Sequence, residues 1–571
     1  MNSRPLIQRS SFSVHRSSLH RLVPAILVAA LWLLACQPNP GDRSVEERRR
    51  AGVVVFNLAA EPTSLDPARA TRLADLRAIG QCLEGLVRIG PDGQPQPALA
   101  ESWEVSPDQR TYRFRLREAR WSNGDPVRSG DFAFAWRRVL DPATRASWAD
   151  LFFAIEGAPA CYRATPEERP RVALGIETPD DRTLVVRLAH PTPYFLSLAA
   201  LEAYYPVHPP TVQQLGEAAF RASNYVCNGP FRPIEHVPRR HIIFEPNPLY
   251  HDRGRIALRR LFFVMVENEF TEWTAYRRGE IDLTDSVHRS ALAAVRATED
   301  FRTVPLLGTS YLVFNCRRPP FDRLEVRRAF ALSLDRRLLA ERIVRGGERP
   351  ATAFVPPGIP VGQVANLSYS DFRNVGGDLL PPTGPSASDS ERLRASLASL
   401  PGGSGVSSLK NIVYSHDATE LQRSLAVALQ MMWRQNLGVE AAIQSFPARL
   451  LAQNKRRGDT LIAHASWVAD YLDPTTFLDV FRSGSPNNYT GWSDPRYDAL
   501  LDRAAATSDV AQRADLLHQA ERILVDQMPV CPIYFYAISY LQRPGLEGIE
   551  RNPLGRIDFS LARWMAPERV E

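Results

Sequence analysis

The chain has 571 residues, too many for a single hydrophobic core, and this length implies two to four domains. Its formal charge of +6 falls to +2 once Arg4, Arg9, Arg16 and Arg21 are set aside as part of a leader, which leaves no basic footprint for nucleic acid. The chain lacks a Gly-x-Ser-x-Gly elbow, a His-Glu-x-x-His helix, a P-loop and a Gly-x-Gly-x-x-Gly after a strand, so the common enzyme signatures are excluded.

Residues 1–35 hold those four arginines and no acid, and the apolar run from Leu22 to Ala35 ends at Cys36. Such a run falls short of the roughly 20 residues a membrane span needs, so it reads as a secretory signal peptide. Leu33-Leu34-Ala35-Cys36 matches the lipobox of bacterial lipoproteins, which makes Cys36 the expected lipidation site; the alternative is a cleaved leader without lipid. Residues 36–50 are polar with little to bury, and predict a flexible tether in which Arg48, Arg49 and Arg50 are a solvated charge run.

Val53 to Leu58 reads as a strand, and Glu61 to Pro67 (EPTSLDP) as a turn-rich segment. A helix is expected from Leu73 to Val87, an alternating strand from Thr111 to Arg117, and a helix from Ser129 that stops before Asp141-Pro142. Thr183 to Leu188 is a further alternating strand, a helix begins at Pro193-Tyr194-Phe195, and Asn228-Gly229-Pro230 forces a tight turn. Asp322 with Glu325 has capping-box spacing, and Val326, Phe330, Leu334 and Leu338 predict one core-facing helix ended by Gly346-Gly347.

Residues 357–410 are rich in Gly, Pro and Ser and predict surface loops around one short helix. A helix through Leu421, Leu425, Ala428 and Met432, closed by Gly438, leads into a strand at Val439, Ala441 and Ile443, so this part is α/β. Thr460 to Val468 predicts a largely buried strand that exits into Asp470, Tyr471 and Asp473. A buried carboxylate needs a positive partner, and no Lys or Arg stands between His464 and Phe481, so the partner comes from elsewhere in the fold or from a ligand. Asp470 as a helix cap near Pro474, or solvated on a turn, is the alternative.

Eleven histidines do not cluster, His236 and His241 being the nearest informative pair, and the six cysteines show no Cys-x-x-Cys. Neither a metal site nor a cofactor is expected. With Cys36 committed to lipid, five cysteines remain, so at least one thiol is free.

In order along the chain, EPTSLDP (61–67), NGPF (228–231), RRGEID (277–282), WVADY (467–471), SPNNY (485–489) and WSDP (492–495) resemble the peptide-binding lipoproteins of ABC importers, solute-binding protein family 5. The resemblance implies an α/β, two-lobe periplasmic-binding-protein fold, class II-like with an extra domain, closing on a hinge. Its implied domains are 51–83 plus 208–308 plus 538–571 as a discontinuous first domain, 84–207 as an additional domain of that lobe, and 309–537 as the second lobe.

It also implies function. An oligopeptide is captured in the cleft and passed to ABC importer permease subunits by a monomer lipid-anchored to the membrane on the periplasmic side. Asp470 matches the residue that pairs with the ligand's α-amino group. Main-chain groups would come from Arg72 and Leu73 on one side and Ala465, Ser466, Trp467 and Val468 on the other, with Trp148, Trp467, Asn487 and Tyr536 lining side-chain pockets. Lys455 and His464 match positions that handle the ligand carboxylate, although His464 is neutral at pH 7 unless shifted. A disulfide found in several relatives would fall on Val468 and Gly308, so it is missing here. Relatives that carry nickel chelates or oligosaccharides, and peptide-sensing receptors, are the competing readings.

Overall fold

The computed structural model describes residues 44–361, 368–373, 378–399, 409 and 411–565. The expected leader and Cys36 lie outside the described residues.

The described chain opens on a helix, Val45–Ala51, where a tether was expected. Ser44 and Glu47 form a capping box, and Gly52 ends the helix in the left-handed region at φ 65°. Of the arginine run only Arg50 is solvated. Arg48 is fully buried and its Nε donates to Asp282 at 3.0 Å, while Arg49 Nε donates to the Met565 carbonyl at 2.6 Å. Charge patterning missed this because the partner acid stands far along the chain.

Three sheets carry the fold. The first has four strands in the order Val53–Asn57, Arg260–Val264, His241–Pro246, Phe231–Val237, and its first pair is parallel. The all-buried sequence VVVFN suits that position, covered on both faces. The second is antiparallel, in the order Ala100–Val105, Thr111–Leu116, Thr183–Arg187, Ile176–Asp180. Here Tyr112, Phe114 and Leu116 point inward and Arg113 and Arg115 outward, as the alternation predicts. These two sheets share one hydrophobic core and make the first lobe.

The third sheet has six strands and makes the second lobe: Arg349–Pro350, Val530–Leu541, Phe301–Phe314, Ile462–Val468, Ile412–Asp417, Ala441–Phe446. It has a core on each face. Leu312 and Phe314 pack on one side, Tyr311 and Val313 on the other.

Two long strands, Phe301–Phe314 and Val530–Leu541, run from one lobe into the other. Their pairing breaks register between Pro305 and Thr309. At the break the Leu307 N–H donates to the Pro553 carbonyl at 3.0 Å, and the Leu307 carbonyl accepts from the Ala469 N–H at 2.8 Å.

Some helices differ from expectation. The first ends at Cys82 rather than Val87, because Gly85 and Leu86 carbonyls accept from Leu99, and from Ala98 and Ala100, which draws the chain into a ladder. The helix at Leu324–Leu332 is capped by Arg323 without a side-chain bond, so Asp322 does not serve. It does not run on to Gly346: Asp335 accepts from the Leu338 N–H at 2.8 Å and starts a new turn.

Candidate ligand cleft

The strand Ile462–Val468 is paired along one whole edge, from Gly308 opposite Val468 to Phe314 opposite Ile462. On its other edge only Ile462 and Ala463 meet the strand Ile412–Asp417. From His464 to Val468 that second edge has no strand partner among the described residues. Ser466 and Val468 are exposed there. Apart from the His464 carbonyl, which accepts from Lys455, this edge offers N–H and C=O groups without a strand partner, a template for another extended chain.

Beside this edge lies a cavity of about 600 Å³, within the range of small-molecule sites. Trp467, Asp470 and Asn487 line it from the second lobe, and Trp148, Asp150 and Tyr194 from the first. The lobes also touch at its floor. Tyr194 and Tyr471 stack at 5.1 Å, and the Leu472 N–H donates to Ser197 Oγ at 2.7 Å.

The two aspartates of the turn after the strand have different fates. Asp473 is buried, pairs with Arg513 through both oxygens at 2.7 and 2.8 Å, and accepts from the Thr475 N–H at 3.0 Å. It therefore closes the turn before the helix at Thr475–Leu478, whose N-cap position is Pro474. The Asp470 N–H donates to Thr476 Oγ1 at 3.1 Å, but its carboxylate has no hydrogen bond or ion pair among the described residues. Burial pushes the Asp470 carboxyl up to about 6; Arg556 opposes the rise and Asp150 adds to it. Trp467 Nε1 is shut off from solvent with no acceptor among the described residues. An unpaired acid and an unpaired donor facing one cavity await a ligand that supplies a cation and an acceptor.

The structure brings Trp148, Trp467, Asp470 and Asn487 to one cavity and leaves the other expected residues outside it. Ala465 is buried in the core of the second lobe. Tyr536 stands across the sheet, against Gly308, where an added Cβ would come within 2.9 Å of its ring. His464 is buried against Asp417 (3.4 Å), Ser310 Oγ (3.2 Å) and Gln422 (3.1 Å). Burial pushes its pKa down against the pull of Asp417, so it is a neutral imidazole held within the sheet.

Lys455 Nζ donates to the His464 carbonyl at 3.0 Å and sits over the Tyr489 ring; burial lowers its pKa to about 8. This ammonium braces the free edge of the strand. Arg72 is exposed at the start of its helix with its N–H already donated to Asp75, and Leu73 borders a separate cavity of about 250 Å³ with Arg77 and Glu269. Sequence reasoning missed Asp150; its nearest signal is the short Trp148-Ala149-Asp150 step, an acid two residues after an aromatic.

His236 and His241 each take their own carboxylate, Glu61 at 3.0 Å and Glu235 at 2.9 Å, and no group of metal ligands occurs among the described residues. Cys82, Cys161, Cys227, Cys316 and Cys531 are all free thiols. Gly308 and Val468 do face each other across the ladder, with no sulfur on either.

Residues 94–489 match the family described as bacterial extracellular solute-binding proteins, family 5 Middle. Over 538 residues the chain is 33% identical to the dipeptide-binding protein DppE of Bacillus subtilis (strain 168), covering 93% of this chain and 96% of that one. It is 31% identical over 538 residues to the periplasmic oligopeptide-binding protein OppA of Haemophilus influenzae, with 93% and 96% covered. The crystal structure of H. influenzae OppA in complex with RPPGFSPFR superposes with a TM-score of 0.74 at 31% identity, over 90% of this chain and 99% of that one. Listeria monocytogenes OppA bound to peptide gives 0.72 at 27% identity, over 90% and 99%.

Proposed function

Because the chain belongs to family 5 of the bacterial extracellular solute-binding proteins, we propose that it captures oligopeptides between its lobes and delivers them to an ABC importer. One observation carries this reading. The unpaired Asp470 carboxylate stands at the end of a strand whose outer edge, His464 to Val468, has no strand partner among the described residues. A peptide N-terminus pairs with Asp470, and its backbone adds to that edge as a further strand, so affinity comes from main-chain groups common to all peptides. Trp148, Trp467 and Asn487 wall the space for side chains, while Lys455 and His464 hold the strand in place.

In this reading residues 309–537 form the second lobe and close over ligand against the rest by motion at the two crossing strands. Native mass spectrometry of the purified protein is expected to show a ladder of bound peptide masses, and small-angle scattering a smaller radius of gyration with peptide added. A single non-peptide mass, such as a metal chelate or oligosaccharide, would overturn the reading.

The signal peptide is cleaved before Cys36, whose lipid holds a monomeric protein at the periplasmic face of a bacterial membrane. In support, Leu33-Leu34-Ala35-Cys36 ends the apolar run, and no helix among the described residues is long and apolar enough to cross a membrane. Metabolic labelling with a fatty-acid analogue is expected to mark the protein, and Cys36→Ser to abolish the label. Label surviving that substitution would remove the anchor.

A further inference from the structure

The cleft holds a second acid that binding of an α-amino group leaves unused. Asp150 lies in the short turn Ala149–Ala154 of the first lobe and opens into the same cavity as Asp470, which reaches it from the second lobe. It makes no ion pair among the described residues. The cations nearby are committed: Arg482 to Asp479 and Asp502, Arg513 to Asp473, Arg556 to Glu202. His190, also on the lining, is in hydrogen-bond contact with the Thr192 hydroxyl and the Pro191 carbonyl. The uncommitted charge of the cavity is therefore two carboxylates, one from each lobe.

A ligand with a single ammonium would neutralise one of them. Closure over it would strip water from the other and leave that charge unopposed, which low-dielectric surroundings penalise. The wall around Asp150 suggests what meets it. Trp148, Leu151 and Phe153, from the same stretch of chain, line the cavity together with the exposed Asp150 and give it apolar wall. An aliphatic stem with a cationic head fits such a slot, and the Trp148 face adds a cation–π surface. The partnerless Asp470 carboxylate on the cavity lining and the shielded Trp467 Nε1 independently mark this space as one that a ligand completes.

We propose that Asp150 selects peptides whose N-terminal residue is Lys or Arg, pairing with the side-chain cation while Asp470 holds the α-ammonium. This rests on the peptide reading above. The first side chain is the one that matters, because it branches from the carbon bearing the ammonium and so stays beside Asp470.

Calorimetry with a Lys-led alanine peptide and its norleucine-led counterpart tests this, since norleucine keeps the stem and removes the charge. Wild type is expected to prefer the Lys peptide by about tenfold, the scale of one charge-assisted hydrogen bond. Asp150→Asn is expected to erase that preference and keep the norleucine affinity, which also shows that the variant is folded; Asp150→Ser serves as a second variant. Equal affinities in wild type, or a preference that survives both variants, overturn the selection by Asp150 and leave the peptide reading standing. Failure of wild type to bind either peptide overturns both.

Discussion

Asp470→Asn is expected to weaken peptides with a free N-terminus at least tenfold, and acetylating the peptide to do comparable damage to the wild type. The carboxylate is partly withdrawn from water and has no partner among the described residues, so in the proposed complex the ligand ammonium is the group that neutralises it. A charge-assisted hydrogen bond is worth roughly 1.5 to 3 kcal/mol, and leaving one buried charge orphaned raises the loss to about 3 to 5 kcal/mol. The two losses should not add, because each removes the same pair, and calorimetry on the four combinations reads that coupling directly. Equal binding of free and acetylated peptides by wild type would end the anchoring role.

The same pair sets a pH dependence. In the unliganded protein the Asp470 carboxyl titrates near 6, with Asp150, Arg556 and His190 the charged or titratable groups around it. An ammonium binds the ionised form, so affinity holds above that value and declines, by up to about tenfold per pH unit, as pH falls through it. Asp470→Asn should flatten the decline, and whatever slope remains belongs to the other groups.

Asp473→Ala is expected to destabilise the second lobe by about 3 to 5 kcal/mol in denaturant unfolding. It strips the partner from Arg513, which is 2% exposed and cannot shed its charge, and it removes the acceptor of the Thr475 N–H in the turn. Arg513→Met should cost less, since the abandoned Asp473 can take up a proton and keeps its Thr475 contacts. Joining Arg513→Met to Asp473→Leu should recover most of the loss, because an apolar pair in that space has no charge to desolvate. A single-variant cost under about 1 kcal/mol, or a double variant as poor as the sum, would show that the pair does not hold the turn. Because Arg513 also lies 5.4 Å from the Tyr194 ring of the first lobe, Asp473→Ala should loosen the closed arrangement too.

How legible this was from residues alone varied with the range of the interaction. The apolar run before Asp470 and the absence of nearby cations placed a strand and an unmet acid correctly, since both are local facts. The separate roles of Asp470 and Asp473 were not legible: Arg513 stands 40 positions beyond Asp473. The free strand edge depends on a neighbour that ends its pairing after two residues, which leaves no mark on the sequence of either strand. Arg48 was misjudged for the same reason, three consecutive arginines looking solvated until Asp282, 234 positions away, is found beside one of them. His464 and Lys455 were placed by family resemblance at the ligand, yet the sheet turns one inward and spends the other on a backbone carbonyl.

The register break at Leu307 has a mechanical consequence. Its carbonyl is tied to Ala469, one residue before Asp470, and its amide to Pro553 of the chain's returning tail. A single residue is thus clamped on one side to the segment that carries Asp470 and on the other to the chain's returning tail. In the closure proposed above it would act as the fulcrum of a lever, a small rotation of the Asp470 turn on a ligand carrying the far tips of the lobes through a longer arc. Occupancy of the cleft would in this way be written on the outer surface.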